Sequence, residues 1–83
     1  MRRTHFMVCA SIIKALTSES MSLNGVVMHM NLNRRLARLC ISELVTSQFV
    51  SVEGVGAVRY QATEKGVDWC NRYSAVIAEL RRI

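Results

Sequence analysis

Residues 49–66 read Phe-Val-Ser-Val-Glu-Gly-Val-Gly-Ala-Val-Arg-Tyr-Gln-Ala-Thr-Glu-Lys-Gly, and this stretch decides the fold. Polar and apolar side chains alternate with period two along 49–53 and again along 57–62, the pattern of half-buried strands. Between them, Gly54-Val55-Gly56 places glycine where a tight three-residue connection needs positive φ. The combination predicts a β-hairpin. The alternation ends at Thr63, whose hydroxyl can cap a helix, and Glu64 then falls in a first turn where the helix dipole favours an acid. A helix starting there carries Trp69, Tyr73, Val76 or Ile77, Leu80 and Ile83 as one apolar stripe.

Upstream of the hairpin the period changes from two to about 3.6. Over 4–18, Phe6, Cys9, Ile13 and Leu16 recur at steps of three and four with Ile12 beside them, predicting an amphipathic helix capped by Thr4. Residues 17–20 form a polar connection. A shorter helix follows over 23–30, with Val26, Val27 and Met30 as its apolar side, and Asn31-Leu32-Asn33 makes a turn in which either asparagine can cap what comes next. The third helix, 34–47, is the most informative. At about 100° per residue, Ala37, Cys40, Ile41 and Leu44 share one side while Arg35, Arg38 and Ser42 share another. Leu36 and Leu39 stand on the border, and the pattern leaves Leu39 open among core, subunit contact and surface. Three helices, a hairpin and a fourth helix compose an α+β winged helix-turn-helix, with the hairpin as wing and the third helix as the reading element.

A chain of 83 residues reads as one domain (1–83), with 63–83 as its terminal helix. So short a chain buries only about 60–65% of its unfolded surface. A hydrophobic share of 51% is high for that size, so part of the apolar surface is expected to meet a second copy. Nine arginines and two lysines against six acids give a net charge of +5, suited to a polyanionic partner. No apolar run approaches the roughly 18 residues that span a bilayer, and Lys14 interrupts the stretch after Arg2 and Arg3, so no secretory signal is read there. The sequence reads as soluble and cytoplasmic, with no membrane partner.

Catalytic and cofactor chemistry finds little support. There is no Gly-X-Ser-X-Gly, no Ser/His/Asp set and no pair of carboxylates. Gly54-Val55-Gly56 sits inside a hairpin and lacks the helix and Lys-Ser/Thr of a phosphate loop. His5 and His29 each lack a second histidine at i+4, and Cys9, Cys40 and Cys70 stand far apart without a Cys-X-X-Cys pair. The expectation is no metal, no cofactor and no small-molecule substrate, with the cysteines as small buried hydrophobes.

The segments 28–33, the third helix up to Ser42-Glu-Leu-Val45, and above all Tyr60-Gln-Ala-Thr-Glu-Lys-Gly66 followed by Trp69, Cys70 and Tyr73 resemble the small archaeal winged-helix DNA-binding proteins, a family with chromatin-associated and viral members. The likeness covers 22–80. It implies a dimer formed through the last helix, a third helix lying in the major groove of double-stranded DNA, Arg35, Arg38 and Ser42 on the DNA face, and Arg59 in the wing. Arg34 joins that set unless it turns towards the body of the domain. The implied dimer contacts are Trp69, Tyr73, Val76, Ile77 and Leu80. Two departures stand out: the family has glycine after the third helix where this chain has Gln48, and the last helix is short for a long coiled coil. The function expected is a dimeric transcriptional regulator or nucleoid-associated protein. Its rival is a winged-helix adaptor that binds protein rather than DNA, favoured by the few lysines, by Leu36 and Leu39, and by Glu53 at the wing.

Overall fold

The computed structural model describes residues 5–82. They form α1 (His5–Ser18), α2 (Leu23–Met30), α3 (Arg34–Thr46), β1 (Val50–Glu53), β2 (Arg59–Ala62) and α4 (Glu64–Arg81). The expected winged helix-turn-helix is therefore the fold found. Thr4, the proposed cap of α1, the arginines at 2 and 3, and Ile83 lie outside the described residues.

α1 is the central helix. Ile12, Ile13 and Leu16 are fully shielded and meet Val26 of α2, Cys40, Ile41 and Leu44 of α3, Val50 of β1 and Cys70 of α4. Phe6 departs from the predicted stripe: it is 61% exposed, and Val8 takes a core place instead. Phe6 points in nearly the same direction as Ile13 but sits in the first turn, one edge turned to the His5 ring.

Both short helices of the turn are capped by side chains. Ser22 Oγ accepts from the Gly25 N–H at 3.1 Å and starts α2. Asn31 closes α2 in a left-handed conformation (φ 52), which asparagine tolerates better than most residues. Asn33 starts α3, its Oδ1 accepting from the Arg35 N–H at 2.8 Å. The two asparagines thus divide the work, one ending a helix and the other beginning the next.

The hairpin runs in the register Val50↔Ala62 to Glu53↔Arg59, so residues 54–58 form a five-residue connection instead of three. Gly54 and Gly56 both have positive φ, 95 and 89, as anticipated. Pairing stops early because Gly54 leaves the extended region and the Ala57 carbonyl folds to within 2.6 Å of where a Cβ on Gly54 would stand. Met21, in the connection between α1 and α2, adds a bridge to β2: its N–H donates to Tyr60 O at 3.0 Å and its carbonyl accepts from the Tyr60 N–H at 2.7 Å.

The joint between α3 and β1 explains the Thr-Glu-Lys-Gly phrase. Gln48 has φ 65, so the left-handed residue expected there is present without glycine. Thr63 caps α4, accepting from the Gly66 N–H at 3.0 Å, and its hydroxyl donates to Gln48 O at 2.7 Å. Lys65 donates to Ser47 O at 3.2 Å with its ammonium 5.3 Å from the Phe49 ring centroid. Gly66 packs so closely that a Cβ would lie 2.1 Å from Phe49 O. Phe49, Trp69 and Tyr73 then stack in series, with centroids 5.5 and 5.4 Å apart. No helix among the described residues is long and apolar enough to cross a membrane.

Candidate nucleic-acid interface

α3 is held from behind and left open in front. Ala37, Cys40, Ile41 and Leu44 are buried, the four positions predicted to face the core. Arg35, Arg38 and Ser42 are exposed on the opposite side, together with Leu39 and Thr46. Leu39, left open by the sequence pattern, is 55% exposed and lies on this outer face. The side chains of Arg35 and Arg38 make no hydrogen bond or ion pair among the described residues. The only acid on α3, Glu43, stands at the far edge of the face and accepts from His5 Nε2 at 2.8 Å. The outer face of α3 is consequently cationic, with its acid turned aside.

Arg34 does not join that face freely. Its Nη2 donates to Asn24 Oδ1, tying the first turn of α3 to α2 across the helix-turn-helix corner. Arg59 is also engaged: Nε donates to Ser20 Oγ at 3.1 Å and Nη2 to Ser20 O at 2.6 Å, which fastens the loop end of the hairpin ladder to the α1–α2 connection. Glu53 pairs opposite Arg59, and the connection beyond them carries a fully exposed Val55 and no cation. Between the hairpin and α3 runs an open groove of about 440 Å³, bordered by Arg38, Ser42, Thr46, Val52 and Tyr60. Thr46 and Leu39 were not singled out from sequence as site residues, although their positions four beyond Ser42 and four beyond Arg35 along one face were available in the helical period.

The terminal helix shows a division of its apolar stripe. Trp69 and Tyr73 are half-buried in the stack with Phe49, and Ile77 lines a groove of about 280 Å³ between α4 and α1. Val76 and Leu80 are exposed. Beyond Tyr73, Ile77 alone among the described residues of α4 is even half-buried; with Ala78 and Arg81 it borders the groove against α1, while the other side of the last two turns faces solvent.

The sequence expectation of no metal-binding set meets an unforeseen arrangement: His5, Cys9 and Cys40 place their donor atoms within 4.8 Å of one another. His5 and Cys9 are four residues apart, hence on one face of α1, a signal present in the sequence and passed over there in favour of His–His spacing.

A model of the winged helix-turn-helix family matches residues 2–81. Among solved structures, that of Bordetella bronchiseptica BpsR, a protein whose DNA binding is regulated by 6-hydroxynicotinic acid, superposes with a TM-score of 0.77 at 15% identity, covering 98% of this chain and 58% of that one. The ArsR-like transcriptional regulator from Rhodococcus sp. RHA1 superposes with a TM-score of 0.66 at 20% identity, over 89% of this chain and 72% of its own. At these identities the likeness is one of fold, and the chain spans little more than half the length of the first. No curated protein matches it in sequence.

Proposed function

Because the chain belongs to the winged helix-turn-helix family, we propose that it is a double-stranded DNA-binding regulator or nucleoid protein that reads the major groove with α3 and acts as a homodimer. The observation that carries this reading is the outer face of α3, where Arg35 and Arg38 are exposed and without intramolecular partners. A planar guanidinium can grip phosphate oxygens or a guanine edge in bidentate fashion. Ser42 and Thr46 add hydroxyls, and Leu39 offers an apolar contact suited to a thymine methyl. Arg34 and Arg59 contribute through position: one fixes the corner that presents α3, the other ties the loop end of the wing's ladder to the α1–α2 connection. In the dimer, Val76 and Leu80 of two α4 helices would meet, setting two α3 helices into successive major grooves about 34 Å apart. The activity is binding, with no catalytic step assigned.

Salt separates this reading from the protein-adaptor alternative, which the exposed Leu39 and the apolar wing tip at Val55 favour. Affinity for duplex DNA should fall by nearly one log unit per log of salt for each phosphate neutralised. An Arg35→Ala, Arg38→Ala double variant should bind more weakly and show a shallower salt slope, by about one unit for each arginine that meets a phosphate. Equal affinity of parent and double variant across several salt concentrations overturns the assignment of α3.

A further inference from the structure

We propose that His5, Cys9 and Cys40 form a binding site for a zinc-class divalent cation at the contact of α1 with α3, with Glu43 orienting the imidazole. Cys9 and Cys40 are buried, 5% and 0% exposed, and both thiols converge on the one ring: Cys9 Sγ lies 3.7 Å from His5 Nε2 and Cys40 Sγ 3.9 Å from Nδ1. A tetrahedral ion bonded at about 2.0–2.1 Å to nitrogen and 2.3 Å to sulfur holds neighbouring ligand atoms about 3.6–3.8 Å apart. The Cys40 Sγ to Nδ1 separation is already close to that, while Cys9 lies nearer Nε2 and must rotate about its side chain to reach an ion bonded at Nδ1. Burial alone does not bring a cysteine to a histidine here, for Cys70 is equally buried and its thiol turns to Ala10 O at 3.5 Å.

Glu43 supplies the second half of the argument. His5 Nε2 donates to its Oε2 at 2.8 Å, which leaves the Nδ1 lone pair facing Cys40. A metal-bound imidazole is regularly held by a carboxylate on its other nitrogen, which fixes the tautomer and raises the ligand's basicity. His5 and Glu43 remain 41% and 52% exposed in their side chains, so an ion can enter from solvent past the ring. Two thiolates, a neutral imidazole and a dication sum to zero charge, which suits a half-buried place, and the fourth position is open to water.

The chemistry fixes a pH signature. Burial, reinforced by Cys40 and Glu43, pushes the Cys9 thiol up to about 12, and burial raises Cys40 as well. A cysteine thiol is ordinarily protonated near neutral pH, so the ion must displace two protons into solvent as two metal–sulfur bonds form. Apparent affinity should then rise about a hundredfold per pH unit.

The test is titration of the full, metal-free chain with Co2+ in a thiol-free reductant, read by absorption. The expected result is one Co2+ per chain, with tetrahedral ligand-field bands and sulfur-to-cobalt charge transfer, displaced by Zn2+. His5→Ala should lower affinity at least tenfold, and Glu43→Gln by about tenfold. Both residues are exposed, so these variants keep the core intact and remain informative if Cys9→Ser does not fold. Where Cys9→Ser folds, the charge-transfer intensity should halve, whereas Cys70→Ser should leave it whole. Cobalt binding without charge transfer, unchanged affinity in His5→Ala, or loss of the spectrum in Cys70→Ser overturns the site.

Discussion

Gln48 sits in the left-handed region at φ 65, where the chain leaving α3 must turn into the wing. A side chain there costs about 1 kcal/mol relative to glycine, because Cβ crowds the following carbonyl. Gln48→Gly is therefore expected to raise stability by roughly that amount, which for a domain of this size shifts Tm by about 4–8 °C. Gly66 is the mirror case. Its φ is ordinary, yet a Cβ would stand 2.1 Å from Phe49 O, so Gly66→Ala must push α4 off the α3–β1 joint and should cost more than about 1 kcal/mol. Paired thermal melts check both signs, and a Gln48→Gly variant that melts below the parent refutes the strain. The family resemblance pointed to the missing glycine at 48, a need local to one backbone angle. The sequence could not show why glycine was present at 66, because the crowding atom belongs to a residue 17 positions earlier and exists only after the helix docks.

The same distinction holds for whole elements. The split of α3 into a core side and an outer side was legible because a helix converts spacing directly into direction; Ala37, Cys40, Ile41 and Leu44 are all buried, and Arg35, Arg38 and Ser42 are all exposed. Leu39 was not legible, since whether a border residue is covered depends on what another element does. Arg34 and Arg59 follow the same logic: their partners, Asn24 and Ser20, come from other elements, so neither tether could be read from local pattern. A prediction at this scale separates presentation of α3 from contact by α3. Asn33 caps the helix through its bonds to the N–H groups of Arg35 and Leu36. Asn33→Ala should cost about 1 kcal/mol of stability. Its DNA binding should nevertheless keep the parental salt slope, because no cation has been removed. A melt and a salt series on the same sample decide it; a slope reduced as in the arginine variants would show Asn33 acting on phosphate rather than on the helix.

At the scale of the molecule, the domain is longer than its core requires. Its radius of gyration is 12.8 Å and its longest extent 48 Å, against about 12 Å for the radius of a compact chain of this length. The excess lies in α4, which buries only Gly66 and Cys70 and then extends past the stack of Phe49, Trp69 and Tyr73 with Val76 and Leu80 uncovered. A helix end of two turns that touches the domain along only one edge gains little from packing, although packing of an apolar face supplies most of a helix's stability. A second copy of the same helix would supply that packing symmetrically. If so, Tm should climb with protein concentration, since dimerisation stabilises by mass action. A Val76→Glu, Leu80→Glu double variant should sediment as a monomer, melt independently of concentration, and bind a two-half-site duplex much more weakly than the parent while retaining the fold around α1. Both glutamates fall where side chains are already in solvent, so loss of dimer rather than loss of core is what the variant reports. A parent chain that sediments as a monomer at tens of micromolar, with a concentration-independent Tm, would remove α4 as a subunit contact and leave its free end to another partner.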